Sequence, residues 1–186
     1  MDDQVMKAME RWPDVPAAYG WLRLDRRGQW YLVDRNQPGF DETVHGDGSL
    51  LRNPKLIDFI ARNYGADSNG NWFWQNGPQR AYANLDTAPL IVRVMDSPSN
   101  TDVLITHIGD SIETVSRACV GPDDVLYLVT EHGPASVHDM DLASLDLDEA
   151  SVTISGNRYP LETLAQSADQ ALGFNRRPAQ GAYSRR

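Results

Sequence analysis

Short apolar runs dominate the pattern of hydrophobic and polar positions along the chain. Runs with alternating or continuous apolar residues predict strands, bounded by turn residues. These runs are residues 21–24, 29–33, 71–74, 81–85, 90–94, 103–106, 111–115, 125–129 and 151–154. A short helix is predicted over residues 4–11, because Pro13 and Pro16 end the pattern there.

Two longer helices are predicted, each beginning at a proline and ending at a glycine. The first covers residues 53–64, with Pro54 at its first position and Gly65 as its stop. The second begins at Pro160, carries leucine and alanine residues on one face and ends at Gly173. This repeated order is compatible with a structural duplication. It is equally compatible with chance, since proline and glycine favour these helix ends in any protein.

Together these elements predict an α+β fold made of two packed, strand-rich halves, each with a mostly antiparallel sheet and a proline-initiated helix. The N-terminal half is predicted to span residues 1–96 and the C-terminal half residues 101–174, with a linker at 97–100. The segment 175–186 is rich in Arg, Pro and Gly, and is predicted to be a disordered tail. A length of 186 residues suits one domain or two small subdomains.

The charge of the chain is unevenly distributed. The net charge of −9 argues against nucleic acids and anionic membranes as partners, because both attract basic surfaces. Residues 96–150 hold 12 acidic side chains and one basic side chain, Arg117, whereas residues 151–186 hold two acidic and five basic side chains. The acidic segment is interpreted either as a solvated face or as a docking surface for a basic partner.

Several absences predict a cytoplasmic protein. The first seven residues begin with acidic groups and contain no apolar core, which is untypical of a secretory signal. No apolar stretch approaches the ~20 residues that a membrane-spanning helix needs. Cys119 is the only cysteine, so no intramolecular disulfide can form. A homo-oligomer is compatible with all of these features.

Two stretches of the sequence carry a resemblance to a known family. They are Gly70-Asn71-Trp72 through Ala88-Pro89-Leu90-Ile91-Val92, and Ile105-Thr106-His107-Ile108-Gly109-Asp110-Ser111-Ile112, preceded by a strand–helix unit from Gln29 to Tyr64. Over roughly residues 20–150 the chain resembles an uncharacterised bacterial family known only as a domain of unknown function. The resemblance implies an α+β fold with repeated motifs and a role in ligand-dependent signalling, and it brings no catalytic residues. The loop 34–48 and the segment after Asp110 depart from the family pattern.

Most catalytic signatures are missing from the sequence. It contains no Walker loop, Rossmann fingerprint, nucleophile elbow or paired-cysteine motif, and no cofactor is predicted. The set most similar to a metal site is His132, His138, Asp139 and Asp141, although their spacing matches no standard site and solvated loop residues are the favoured interpretation. Cys119 lies between Ala118 and Val120, which favours a buried and inert thiol.

Consecutive aromatic residues are the strongest candidate for a binding feature. A strand would place Trp72 and Trp74 on one face and Phe73 on the other. Arg80 and Tyr82 are expected to face the tryptophans from the next strand. Tryptophan beside arginine can hold a planar or sugar-like ligand by stacking and cation–π contact. The alternative is that one face belongs to the core and the other is a covered sheet surface.

The sequence therefore predicts a non-enzymatic, ligand-responsive or partner-binding module with a signalling or regulatory role. A small-molecule site is expected where the halves meet, because pockets favour such junctions. The candidate ligand-binding residues are Trp74, Gln79, Arg80 and His107. One alternative is a metal-dependent hydrolase that uses His132, His138 and Asp139, and another is a structural interaction protein that uses the acidic 96–150 surface. Three N-terminal tryptophans are expected to anchor the core: Trp12, Trp21 and Trp30.

Overall fold

The computed structural model describes residues 1–95 and 103–178, so the predicted linker at 97–100 lies outside the described residues. The chain divides into two compact units. The first unit contains residues 1–25, residues 29–86 and the C-terminal segment from Asn175, and the second contains residues 26–28 and 87–174. The division after Asp86 precedes the predicted boundary near residue 96, because the strand Leu90–Met95 pairs within the sheet of the second unit.

The first unit is built on a six-stranded sheet. In chain order its elements are α1 (Asp3–Arg11), β1 (Ala18–Leu24), β2 (Trp30–Leu32), α2 (Glu42–His45), β3 (Ser49–Leu50), α3 (Pro54–Arg62), β4 (Tyr64–Ala66), β5 (Trp72–Asn76) and β6 (Gln79–Leu85). The strand order is β3-β2-β1-β6-β5-β4. The neighbours β1 and β6 are parallel, and the other pairs are antiparallel.

The second unit is built on a nine-stranded sheet. Its strands are β7 (Leu90–Met95), β8 (Val103–Thr106), β9 (Ser111–Ile112), β10 (Val115–Val120), β11 (Leu126–Thr130), β12 (Gly133–Val137), β13 (Asp146–Leu147), β14 (Ser151–Ile154) and β15 (Asn157–Thr163). A 3-10 helix (Asp139–Ser144) follows β12, and α4 (Ala168–Leu172) follows β15. The strand order is β13-β14-β15-β10-β11-β12-β7-β8-β9, with parallel pairs at β15–β10 and β12–β7.

These two sheets and few helices confirm the α+β fold class. Each sheet mixes parallel and antiparallel neighbours, which corrects the expectation of mostly antiparallel sheets. The parallel pairs arise because strands distant in sequence become neighbours, for example β1 and β6. Local hairpin patterns in a sequence do not reveal such long-range pairs.

Helix α3 begins as predicted and ends earlier. The Asn53 side chain accepts hydrogen bonds from the backbone N–H groups of Lys55 and Leu56, and Pro54 occupies the first turn. Ile60 is fully buried beneath the helix. The chain leaves the helix after Arg62, because residues 64–66 pair with β5 as a strand. Gly65 is therefore a strand residue and not a left-handed helix stop, which corrects the prediction.

The second proline-initiated helix was predicted wrongly. Residues 157–163 form β15, which pairs with β14 on one side and β10 on the other. Tyr159 and Leu161 are partly buried and alternate with exposed neighbours, as the two-residue period of a strand requires. Only the C-terminal end of the predicted helix is confirmed, since α4 stops at Gly173, which has φ +73°.

The C-terminal segment begins as an ordered part of the first unit. The Asn175 N–H donates to the Gly70 carbonyl at 2.9 Å, and the Leu85 N–H donates to the Arg176 carbonyl at 2.9 Å. The predicted tail therefore does not begin at residue 175, and residues 179–186 lie outside the part that the structure describes. No helix in residues 1–95 or 103–178 is long and apolar enough to cross a membrane.

Candidate functional site

Strands β5 and β6 direct their side chains to opposite faces of the sheet. In their antiparallel register Phe73 lies opposite Tyr82, and Gln75 lies opposite Arg80. Directly opposed residues share a face, so Arg80 belongs to the face of Phe73. Trp74 is paired with Ala81 and belongs to the other face. The expectation that Arg80 and Tyr82 face the tryptophans is therefore wrong.

Arg80 is a half-buried cation held against an aromatic ring. Its guanidinium carbon lies 4.5 Å from the centroid of the Phe73 ring, a cation–π distance. Its Nε donates to Gln75 Oε1 at 3.3 Å, and Gln75 Nε2 in turn donates to the Gly77 carbonyl at 2.9 Å. Within the described part of the chain, Arg80 forms no ion pair with a carboxylate. Its positive charge is therefore not neutralised by a direct partner.

Tyr82 extends this aromatic layer. Its ring stacks on Tyr19 with centroids 4.8 Å apart and meets the Phe73 ring edge-on at 5.6 Å. The Tyr82 hydroxyl donates to Asp67 Oδ2 at 3.2 Å. Burial raises the pKa of Tyr82, so the phenol stays neutral at neutral pH. These contacts hold the rings that support Arg80 in a fixed arrangement.

A groove of about 250 Å³ opens beside Arg80. We call it the Trp12 groove, and it is lined by Met9, Trp12, Pro13, Val15, Ala17, Gln75, Pro78 and Arg80. The groove therefore combines an apolar wall with a single lining cation. Trp12 is 50% exposed, which corrects the expectation that it anchors the core.

The end of α1 explains why Trp12 is exposed. Helix α1 ends at Arg11, and Trp12 leaves the helical conformation with φ −133° before Pro13. The Arg11 guanidinium carbon lies 4.7 Å from the Trp12 ring centroid. Like Arg80, Arg11 forms no ion pair with a carboxylate in residues 1–95 or 103–178. Glu10 and Asp14 are close in the chain, but neither lines the groove.

The four predicted ligand-binding residues are not brought together as one cluster. Arg80 lines the Trp12 groove, and the Gln79 side chain ties the groove wall to β6 by donating to the Pro16 carbonyl at 3.0 Å. Trp74 is buried on the opposite face, edge-on to Phe59 at 5.8 Å. His107 belongs to the second unit.

His107 is partly buried, and the Nε2 atom of its neutral imidazole is hidden from solvent. Burial lowers the pKa of His107 to about 3. Its Nδ1 accepts the Ile91 N–H at 3.2 Å, and the backbone N–H of His107 donates to the Ile91 carbonyl at 2.7 Å. The contact at Nδ1 leaves the proton of the neutral imidazole on Nε2, and the two contacts together join the turn after β8 to β7. The geometry explains a structural role for His107, and its part in ligand binding stays a prediction.

The structure does not assemble a metal site from the predicted histidines. His138 Nδ1 accepts the Met140 N–H at 3.2 Å, and His132 Nε2 lies 2.9 Å from the Ser111 carbonyl oxygen. Asp139 pairs with Arg27 at 2.8 Å. The described residues contain no group of three or more His, Cys, Asp or Glu side chains that could hold a metal ion. His132, His138 and Asp139 therefore do not form one ligand set.

The acidic segment is partly neutralised by local ion pairs. Asp139 pairs with Arg27, Asp141 with Arg93, Asp148 with Arg158, and the second unit also contains Arg117–Glu162. The second unit nevertheless holds 14 acidic and five basic residues, whereas the first holds 12 of each. The net charge of the chain thus resides in the second unit.

Sequence reasoning found Arg80 but missed most of the groove. Trp12, Met9 and Pro78 were not recognised as its walls, because the groove joins the end of α1 to the β5–β6 turn across more than sixty residues of sequence. One signal was present. A tryptophan between an arginine and a proline, at the end of a short helix, cannot continue the helical face into the core.

Comparisons with known proteins give a family but no activity. Among solved structures, a DUF1285 family protein from Silicibacter pomeroyi DSS-3 is 16% identical, with a TM-score of 0.49 over 81% of this chain and 82% of that chain. A DUF1285 family protein from Shewanella baltica OS155 is also 16% identical, with a TM-score of 0.45 over 67% and 88% of the two chains. No curated protein matches the sequence. A family model described as "Protein of unknown function (DUF2946)" matches residues 1–179. The chain therefore belongs to this family, and the expectation of a domain of unknown function is confirmed.

Proposed function

We propose that the protein is a non-enzymatic ligand-binding module, and that its Trp12 groove takes a small organic anion with a flat apolar group. One observation carries this proposal. Arg80 is half-buried in the groove, held on the Phe73 ring, and has no carboxylate partner in the described part of the chain. A partly buried guanidinium is usually paired with an anion. Because Arg80 lacks such a pair among the described residues, its charge is available for an anionic ligand.

The anionic group of the ligand is inferred from electrostatics. Arginine presents a planar fork of donors that suits carboxylate and phosphate oxygens. Arg11 adds a second cation next to the groove, with its guanidinium carbon 4.7 Å from the Trp12 ring centroid. Partial burial strengthens the attraction between Arg80 and an anion, because the surrounding dielectric is lower than that of water.

The flat apolar part of the ligand is inferred from the groove wall. Trp12 exposes half of its surface, and Pro13, Pro78 and Met9 continue the apolar lining. Exposed tryptophan is enriched at binding surfaces because it offers a large, rigid stacking area. A ring that stacks on Trp12 would also remove this apolar surface from water.

A ligand in the groove would connect two separate elements of the first unit. Trp12 lies at the end of α1, whereas Arg80 lies on β6, and Gln79 already ties the intervening segment to the strand. Ligand-dependent ordering of this segment is the step that would give the module a signalling or regulatory output. A cytoplasmic location, a protein partner and a homo-oligomer stay predictions from the sequence.

The proposal is tested with three matched probes. Phenylacetate carries a ring and an anion, phenylacetamide carries the same ring without charge, and 2-phenylethylamine carries a cation. Isothermal titration calorimetry should show saturable binding of phenylacetate and at least about tenfold weaker binding of the other two, because a hydrogen bond to a charged group contributes about 1.5–3 kcal/mol.

Variants locate the binding to the groove. Arg80→Gln should weaken phenylacetate binding about tenfold or more, and Trp12→Ala should weaken it about fivefold through lost stacking. Arg52→Gln is the control, since Arg52 is an exposed arginine outside the groove. Equal affinities for phenylacetate in the wild type and Arg80→Gln would refute the proposal.

A further inference from the structure

A second cavity lies wholly within the second unit. Its volume is about 290 Å³, and six of its lining residues carry the inference: Arg26, Thr87, Asp124, Leu126, Ser136 and Leu142. We call it the Ser136 pocket. It differs from the Trp12 groove because charged groups of both signs line it together with an apolar surface.

Two charged residues of the Ser136 pocket, Arg26 and Asp124, differ from its other charged residues in having no ion pair or side-chain hydrogen bond within the described residues. Asp139 is engaged by Arg27 at 2.8 Å, and Asp123 accepts the Tyr127 hydroxyl at 2.8 Å. In contrast, the exposed Arg26 and Asp124 side chains form no ion pair in residues 1–95 or 103–178. The pocket thus offers a guanidinium and a carboxylate together, which suits a ligand that carries both charges.

Two buried hydroxyl groups add a donor to the pocket. Thr87 Oγ1 and Ser136 Oγ lie 3.0 Å apart, and both residues are buried. One hydroxyl donates to the other, so this contact uses only one of their two hydrogens. The remaining hydrogen can be donated to an oxygen of a bound molecule. Buried donors in native structures usually have a hydrogen-bond acceptor, so this hydroxyl favours a ligand with a polar group at this point.

We propose that the Ser136 pocket binds the zwitterion of a small α-amino acid with an apolar side chain. The ligand carboxylate pairs with Arg26, its ammonium group pairs with Asp124, and its side chain contacts Leu126 and Leu142. The inference does not depend on the Trp12 groove, because the two sites share no lining residue.

Binding is tested on the full chain with L-leucine and two analogues of similar size. 4-Methylpentanoate keeps the carboxylate but lacks the ammonium group, and 3-methylbutylamine keeps the ammonium group but lacks the carboxylate. Isothermal titration calorimetry should show saturable binding of L-leucine, with each analogue at least about tenfold weaker. Failure of L-leucine to saturate the protein at about 10 mM would overturn the proposal, and so would equal binding of 4-methylpentanoate.

Variants assign the binding to the pocket. Arg26→Gln and Asp124→Asn should each weaken L-leucine binding about tenfold or more, because each removes one charge partner. The matched controls are Arg52→Gln and Asp110→Asn, whose exposed side chains lie outside the pocket and should leave the affinity unchanged. Arg80→Gln should also retain L-leucine binding, which separates this result from that for the Trp12 groove. Unchanged affinity in both pocket variants would overturn the proposal.

Discussion

Mild acid should weaken the folded state through His107. The imidazole Nδ1 accepts the Ile91 N–H, and its Nε2 atom is hidden from solvent. Burial lowers the pKa of His107 to about 3, whereas a histidine in an unfolded chain has a pKa of about 6.5. Protonation of Nδ1 would break this hydrogen bond, because the new N–H of the ring would point at the N–H of Ile91. The folded protein therefore holds His107 neutral where the unfolded chain binds a proton.

The sign and size of the effect follow from this difference in proton binding. Because the folded pKa is lowered, the stability associated with neutral His107 is fully present above about pH 6.5 and is lost as the pH falls toward about 3. In this window the free energy of unfolding falls by up to about 1.4 kcal/mol per pH unit. Between about pH 7.5 and pH 5 the loss should approach about 2 kcal/mol.

The assay is urea unfolding of the wild type and His107→Asn across this pH range. Asparagine can keep an acceptor near the Nδ1 position but does not titrate, so the variant should lose about 2 kcal/mol less than the wild type on acidification. His132→Gln is the control, because it replaces an exposed histidine and should leave the wild-type pH dependence in place. Identical pH dependence of the wild type and His107→Asn would refute the reasoning.

Two further substitutions test packing and charge in the second unit. Gly28→Ala should cost at least about 1 kcal/mol more than Gly39→Ala, because both glycines have positive φ but only at Gly28 would an added Cβ lie 2.6 Å from His107 Cβ. Asp141→Asn should cost about 2 kcal/mol, because this buried carboxylate accepts bonds from the Arg93 guanidinium and the Val94 N–H. Urea unfolding measures both effects.

Each of these predictions has an outcome that contradicts it. Equal losses for Gly28→Ala and Gly39→Ala would mean that backbone strain alone, and no contact with His107, determines the cost. For the carboxylate, the comparison is Asp148→Asn, which removes an exposed pair with Arg158 and should cost less than about 1 kcal/mol. A loss for Asp141→Asn no larger than that for Asp148→Asn would contradict a special role of burial at Asp141.

Local sequence patterns predicted where strands and helices form better than they predicted which strands pair with each other. Residues 103–106 are an apolar run that forms β8, and Pro54 begins α3; both signals lie within a few residues. Pro160 misled the prediction, since proline suits a first helical turn but also fits a strand when its missing N–H is not needed for pairing. One neighbour, β14, lies directly before β15 in the chain, whereas the parallel neighbour β10 comes from the distant residues Val115–Val120.

The candidate site was also only partly predictable, because its geometry depends on contacts between residues distant in the sequence. Arg80 could be chosen from sequence because it follows an aromatic run by six residues, but the ring beneath it is Phe73 rather than a tryptophan. That difference depends on strand register, since a shift of one residue exchanges the two faces. Trp12 could not be assigned to Arg80, because no local rule connects the end of a helix to a strand far along the chain.

The return of the C-terminal segment to the first unit has a consequence for the order of folding. The Leu85 N–H and the Gly70 carbonyl receive their partners from residues 175 and 176, which are synthesised after the whole second unit. A growing chain on the ribosome therefore carries a first unit that lacks these hydrogen bonds until residues 175 and 176 have been translated. The first unit can therefore be completed only after every residue of the second unit has been synthesised.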